Sequence, residues 1–428
     1  MQSAVIRLCM VTLLSLAGWA SAGQNTWTAA GGLYSDINVF MAHPQETGVL
    51  YGAGENGVFQ SVNGGEWGSI SEGLASSTVL SLAIDGSGDG DRMYAGLNAG
   101  LYTSDDRGQS WTPIEAVGPG ILSLAVGPEG FVYAGTLGRG IHVSENAGEE
   151  WRTADELSSS LVFDLTPTPV DGTAYAATAS GLYRTQDGGL SWNLVGSDLR
   201  ELSIRDIDLS KEDVETLFVG TFGAGVFKSA DFGIHWTPIN QGLDDLSVRS
   251  LEVSRNDRLL YAATSTGGFY RSSDAGQSWN PVNEGLTSLN ARTIYHADDP
   301  SDDRLLGVGP ALGVIEITFA PEPDIEIDTS ILDFGEGSVG LVQALLLTLS
   351  NTGDSDLEIS SLNTNTSGPF TPQPEALPFV IPAGQQVAVE ITFQPQQGAD
   401  EADTLTIHSD DPDSPELQIP RRGIGVRA

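Results

Sequence analysis

From residue 37 onward the chain cycles through the same sequence of apolar, small and polar segments. Each cycle opens on a short apolar stretch: Ile37 to Ala42, Val79 to Ile84, Ile121 to Val126, Val162 to Leu165, Ile204 to Leu209, Val248 to Val253 and Ala291 to Tyr295. A stretch of small residues follows, such as Tyr94-Ala95-Gly96, Tyr133-Ala134-Gly135-Thr136 or Phe218-Val219-Gly220-Thr221. A glycine-containing turn then leads to a third segment, for example Gly225-Val226-Phe227-Lys228-Ser229. These are strand lengths bounded by turn residues, and no long helical period interrupts them. Small residues in the second strand suit a place crowded near an axis.

A tryptophan-led segment completes each unit. Trp27, Trp67, Trp111, Trp151, Trp192, Trp236 and Trp279 are separated by 40, 44, 40, 41, 44 and 43 residues. A period in this range marks an array of repeated supersecondary units. Seven sets of three strands and seven tryptophan-led strands are present, but Trp27 precedes every set and the last set has none after it. Pairing Trp27 with the last set joins the two ends of the array in one sheet and removes the open edge. The prediction is an all-β chain whose residues 23–320 form a seven-bladed β-propeller.

The segment before each tryptophan follows one pattern. Ser104-Asp105-Asp106-Arg107-Gly108-Gln109-Ser110-Trp111 and Ser272-Ser273-Asp274-Ala275-Gly276-Gln277-Ser278-Trp279 are two copies. Thr185 to Trp192, Ser229 to Trp236 and Ser144 to Trp151 are three more, and Ser61 to Trp67 is one residue short. These segments resemble the Asp-box (BNR) repeat, S/T-x-D-x-G-x-S/T-W. The Asp and Ser side chains can accept hydrogen bonds from turn N–H groups, and glycine can take the positive φ that other residues resist. The expected role is structural, because the polar groups serve their own turn.

Ala320-Pro321-Glu322-Pro323 ends the periodicity. Residues 321–428 contain no tryptophan and alternate in polarity, as in Val387-Ala388-Val389-Glu390-Ile391-Thr392-Phe393. Turn clusters separate these strands, which predicts an immunoglobulin-like β-sandwich. Leu332-Asp333-Phe334-Gly335, Leu349-Ser350-Asn351-Thr352-Gly353 and Ser409-Asp410-Asp411-Pro412-Asp413-Ser414-Pro415 resemble the bacterial choice-of-anchor D modules, which are related to the abnormal-spindle/hydin type.

Composition adds location and charge. Residues 1–22 carry one positive charge, Arg7, then an apolar run and Ala20-Ser21-Ala22, the form of a cleaved signal peptide. Cys9, the one cysteine, lies in that leader, so no disulfide is expected in the secreted or periplasmic product. The net charge of −38, with 57 acidic residues and two lysines, opposes nucleic acid and anionic membranes. No other run reaches the ~18 apolar residues of a membrane span, and a soluble monomer is expected. The loop Asp85-Gly86-Ser87-Gly88-Asp89-Gly90-Asp91 has oxygens that suit Ca²⁺, but Gly96 stands where an EF-hand needs its glutamate. No zinc spacing, phosphate loop or nucleophile triad stands out, and no cofactor is expected.

One aligned position, just after each first strand begins, reads Asn38, Leu80, Leu122, Phe163, Arg205, Arg249 and Arg292 around the ring. Three consecutive arginines in so acidic a chain are candidates for holding a carboxylate, phosphate or polar peptide by forked hydrogen bonds. Alternatively they pair with Asp206, Glu201, Glu252 or Asp245 and only hold blades together. Asp164 and Asp206, one position further, are the candidate carboxylates of the channel. Single seven-bladed propellers of this kind resemble the photosystem II assembly-factor family and, more distantly, sortilin-type receptors. That resemblance implies recognition of a protein segment through a basic patch, a part that Arg205, Arg249 and Arg292 can play; the expectation is a non-catalytic binding protein or scaffold that holds a protein segment or glycan at the channel mouth. The sialidases and xyloglucanases that share the repeat imply the alternative, a glycoside hydrolase. No Arg-Ile-Pro segment begins this propeller; Tyr295 adjoins the arginines, and His296 follows it.

Overall fold

The computed structural model describes residues 25–427 except 31–36, 63–65, 77, 87–91, 128–129, 155–156, 158–159, 171, 255–258, 297–303, 311, 320–321, 354, 365–367, 374–376 and 412–413. The expected leader (1–22), most of the acidic loop at 85–91 and the centre of the Ser61 to Trp67 turn lie outside the described residues. The chain divides into two compact units, residues 1–319 and 320–428.

Among its described residues the first unit contains seven antiparallel four-stranded sheets. In six of them the strands lie in chain order from the channel outward. Their first strands touch in succession: Ile37–Ala42, Val79–Ile84, Ile121–Val126, Val162–Pro167, Ile204–Leu209, Val248–Val253 and Thr293–His296, the last meeting the first again. The ring closes in the seventh sheet, where Thr28–Ala29 pairs with Gly313–Thr318 in the register Thr28↔Glu316 and Ala29↔Ile315. Trp27 secures that strand. Its indole is buried, lies 4.5 Å from the Phe269 ring and donates to the Val282 carbonyl at 2.5 Å. The unit is a seven-bladed β-propeller.

Crowding near the axis explains the small residues. A Cβ added at Gly96, Gly135 or Gly220 would stand 2.6–2.7 Å from a methyl carbon of Ile121, Val162 or Val248, the opening residue of the next blade. The outer strands are shorter than the sequence suggests. They comprise two or three residues, such as Thr112–Ile114 and Thr237–Pro238, and the tryptophan stands just before them.

The tryptophan is held out of the strand by the turn that precedes it. Ser104 Oγ accepts the Gly108 N–H (2.8 Å), while Asp106 accepts the Ser110 N–H (2.8 Å) and Oγ–H (2.6 Å). The same contacts recur around Asp187 and Asp274. Two consecutive residues take positive φ, not glycine alone: Arg107 (61°) with Gly108 (83°), and Ala275 (56°) with Gly276 (88°). The side-chain bonds hold the non-glycine residue in this disfavoured region.

The second unit is a two-sheet sandwich. One sheet orders Ile325–Ile327, Gln343–Asn351, Gln386–Phe393 and Phe370–Gln373. The other orders Leu332–Ser338, Glu416–Val426, Asp400–Ser409, Leu357–Thr364 and Phe379–Ile381, its first pair parallel. Alternate residues such as Leu347, Leu349, Val389, Ile391, Leu405 and Ile407 form the core between the sheets.

Candidate functional site

The channel wall is built from the first strands, and a repeated irregularity aims its side chains. In six of the seven, pairing with the second strand skips one residue: Ile37 and Val39 pair with Gly54 and Ala53, leaving Asn38 between them. The same bulge falls at Leu80, Leu122, Phe163, Arg205 and Arg249. A bulge re-aims a side chain and is favoured beside functional sites. All of these residues, with Arg292, line one cavity of about 380 Å³ at the end of the channel where the first strands start. Beneath them Asp164, Thr166, Asp206 and Asp208 line the same cavity.

The three arginines do not meet the acids suggested as their partners. Arg249 Nε donates to Ser265 Oγ at 2.8 Å, and an Arg292 amino group donates to Asn38 Oδ1 at 3.1 Å. Asp245 instead accepts the backbone N–H groups of Ser247, Thr266 and Gly267. The Arg205 guanidinium lies between two aromatic faces, 4.0 Å from the Phe163 ring centre and 5.0 Å from that of Phe222. Its Nε is buried with no hydrogen-bond partner. Among the described residues no carboxylate forms an ion pair with Arg205, Arg249 or Arg292. Burial and the neighbouring Arg249 charge both push the Arg205 pKa below its usual value. Two cations that repel each other with no counter-charge are prepared for an anion.

The carboxyls below serve the ring itself. Asp164 accepts the Ile207 N–H of the next blade at 3.3 Å and the Thr166 hydroxyl at 3.2 Å. Asp206 in turn accepts the Leu251 N–H at 2.7 Å, and Asp208 the Val253 N–H at 2.8 Å. Asp208 also pairs with Lys211 at 2.8 Å. Burial raises the pKa of Asp164; burial and the Asp164 charge raise that of Asp206 well above the carboxylate range. Thr293 and Asn38 continue these blade-to-blade bonds, Thr293 to the Asn38 carbonyl and Asn38 to the Val79 carbonyl.

All five sequence candidates thus reach one cavity, Arg205, Arg249 and Arg292 at its mouth and Asp164 and Asp206 deeper. Tyr295 also lines it, whereas His296 faces away and stacks on Tyr261. Sequence reasoning missed Phe222 and Ser265, which meet the site only through pairing register, and Asp208, which strand alternation from Asp206 could have found.

Residues 323–421 match the HYDIN/CFA65/VesB-like, Ig-like domain family. A xyloglucanase of Hypocrea jecorina (strain QM6a) is 32% identical over 120 residues, which cover 26% of this chain and 14% of that protein. The chain therefore spans about a seventh of the length of that curated relative. Among solved structures, YCF48 bound to D1 peptide superposes with a TM-score of 0.53 at 17% identity, covering 70% of this chain and 98% of that one. The GH74 xyloglucanase of Xanthomonas campestris gives 0.52 at 16% identity, covering 77% and 60% respectively. These likenesses establish the propeller fold. Among the described residues no helix is long and apolar enough to cross a membrane.

Proposed function

We propose that this protein is a non-catalytic binding or scaffold protein, secreted or periplasmic, whose channel mouth holds an anionic group of a protein segment or glycan. One observation carries the reading: Arg205 and Arg249 stand together without a carboxylate partner among the described residues, in a chain with 57 acidic residues. So many acids could have neutralised them, and none among the described residues is placed to do so. The turns are assigned on the same reading to the Asp-box repeat, and residues 321–428 to the choice-of-anchor D type.

The test is capture on an array of acidic peptides and sulfated or uronic-acid glycans by wild type and by Arg205→Gln/Arg249→Gln. Hydrogen bonds to charged groups contribute about 1.5–3 kcal/mol each. The double variant is therefore expected to lose at least about tenfold in affinity, and unchanged capture overturns the reading.

A glycoside hydrolase is the second reading, favoured by the match to a stretch of xyloglucanase. Asp164 and Asp206 do not support it. Paired acids that cleave a glycosidic bond stand roughly 5–10 Å apart with oxygens free to meet it, whereas these two use theirs to hold backbone N–H groups of the next blade. Turnover of sialosides or xyloglucan that disappears in Asp206→Asn would establish the enzyme instead.

A further inference from the structure

We infer that the channel mouth selects a peptide in which a carboxylate stands beside a bulky apolar side chain; this rests on the binding reading above and narrows it. The seven inward-aimed positions are not mixed at random. Asn38, Arg205, Arg249 and Arg292 occupy one continuous arc, and Leu80, Leu122 and Phe163 occupy the other. The three apolar side chains are half-buried on the wall of an open cavity instead of within a blade core. Apolar groups left against water favour a partner that removes that contact.

The apolar arc continues onto the surrounding surface. Leu137 is 55% exposed and bridges Leu161, two residues before Phe163. Phe222 is 52% exposed, stacks on Arg205 and bridges Ser247, beside the exposed Leu246. An apolar strip thus runs up to the guanidinium and past it. A hydroxyl-rich sugar face would leave these leucines poorly matched, whereas an aliphatic or aromatic peptide side chain covers them.

The cationic arc specifies a carboxylate geometrically. Arg205 is held flat between Phe163 and Phe222, which orders its planar fork in advance, so less side-chain freedom is lost on binding. Arg249, close enough to lower the Arg205 pKa, adds a second cation. Deeper in the cavity Asp164, Asp206 and Asp208 take the place of the arginines, and Lys211 is already engaged by Asp208, so the anion is held at the mouth. The surrounding surface is acidic too, so a run of acids on the peptide would be repelled outside the mouth. The cavity of about 380 Å³ is at the small end of ligand pockets and fits one anionic group with one apolar neighbour.

The test uses the full chain on a synthetic peptide array. Each octapeptide carries Glu, Gln or phosphoserine at a fixed position, with each of the twenty residues placed in turn on either side. Glu beside Leu, Ile or Phe is expected to bind at least tenfold better than Glu beside Gly or Ser, and better than Gln or phosphoserine beside Leu. Leu80→Asn/Leu122→Asn should abolish the preference for apolar neighbours while retaining discrimination of Glu from Gln. Arg205→Gln/Arg249→Gln should abolish that discrimination. Circular dichroism of each variant separates loss of binding from loss of fold, and a variant that does not fold is replaced by Leu122→Thr or Arg249→Lys. Glu peptides bound equally well whatever their neighbours overturn this inference and leave the binding reading standing. Phosphoserine outbinding Glu overturns the carboxylate assignment. Anionic glycans captured through the arginines with no peptide bound overturn the inference alone, and no arginine-dependent capture of either class overturns both readings.

Discussion

Asp231 shows how much one side chain can organise. In its turn His235 stands where the clamps of Asp106, Asp187 and Asp274 have serine. The His235 N–H and ring both bond Asp231, at 2.9 and 2.7 Å, and hold its carboxyl down at about 2. The carboxylate in return raises the His235 pKa above 6.5. The histidine's contribution is complete below 6.5 and is lost as pH rises through its raised folded value; the aspartate's is complete above 3.8 and is lost as pH falls through about 2. The turn is accordingly tightest between about pH 4 and 6.5. Proton NMR should give His235 a titration midpoint above 6.5 in the wild type and close to that value in Asp231→Asn. Identical midpoints would show that the contact is not formed in solution. The clamp was legible as a spacing of Ser, Asp, Gly and Trp. The second left-handed residue was not, since Arg107, Ala147, Phe232 and Ala275 share no side-chain chemistry and are held there by their neighbours' bonds.

The first strand of each blade both joins its neighbours and forms the wall. Its opening residue packs on a small residue of the preceding blade, so Gly220→Ala should cost about 1–3 kcal/mol by overpacking against Val248. A denaturation midpoint unchanged within error would show that Val248 gives way. Burial raises the pKa values of Asp164 and Asp206, so the contribution of these two carboxyls to stability is complete below the unfolded value of 3.8 and is lost as pH rises through their raised folded values. Asp206→Asn removes the ionising group while its amide can still serve both neighbours. Its melting temperature relative to wild type is expected to climb from pH 4 to pH 8. A difference that falls over that range would contradict the raised pKa of Asp206. The strands, their order and the inward position of the arginines were readable from periodicity. The bulges were not, because Asn, Leu, Phe and Arg alike occupy them and only the pairing register exposes the extra residue. That hidden register also explains why Asp206 seemed a partner for the arginines: it is their sequence neighbour, yet it turns to the Leu251 N–H of the next blade.

At the scale of the molecule, closure by Trp27 brings the first and last blades together and thereby completes the cationic arc, since Arg292 reaches Asn38 across that seam. The arc is a local exception in a chain of net charge −38, and its value lies in that contrast. Long-range attraction of acidic partners is weak here, so recognition depends on short-range, forked contact with the guanidinium groups. The most direct measurement is the arginine Nε–H NMR spectrum during titration with N-acetyl-leucyl-glutamate amide, with N-acetyl-leucyl-glutamine amide as the matched neutral control. The Arg205 and Arg249 signals are expected to move and saturate with the glutamate probe and to stay in place with the glutamine one. Signals that stay still with both probes, or move equally with both, would contradict recognition by forked contact.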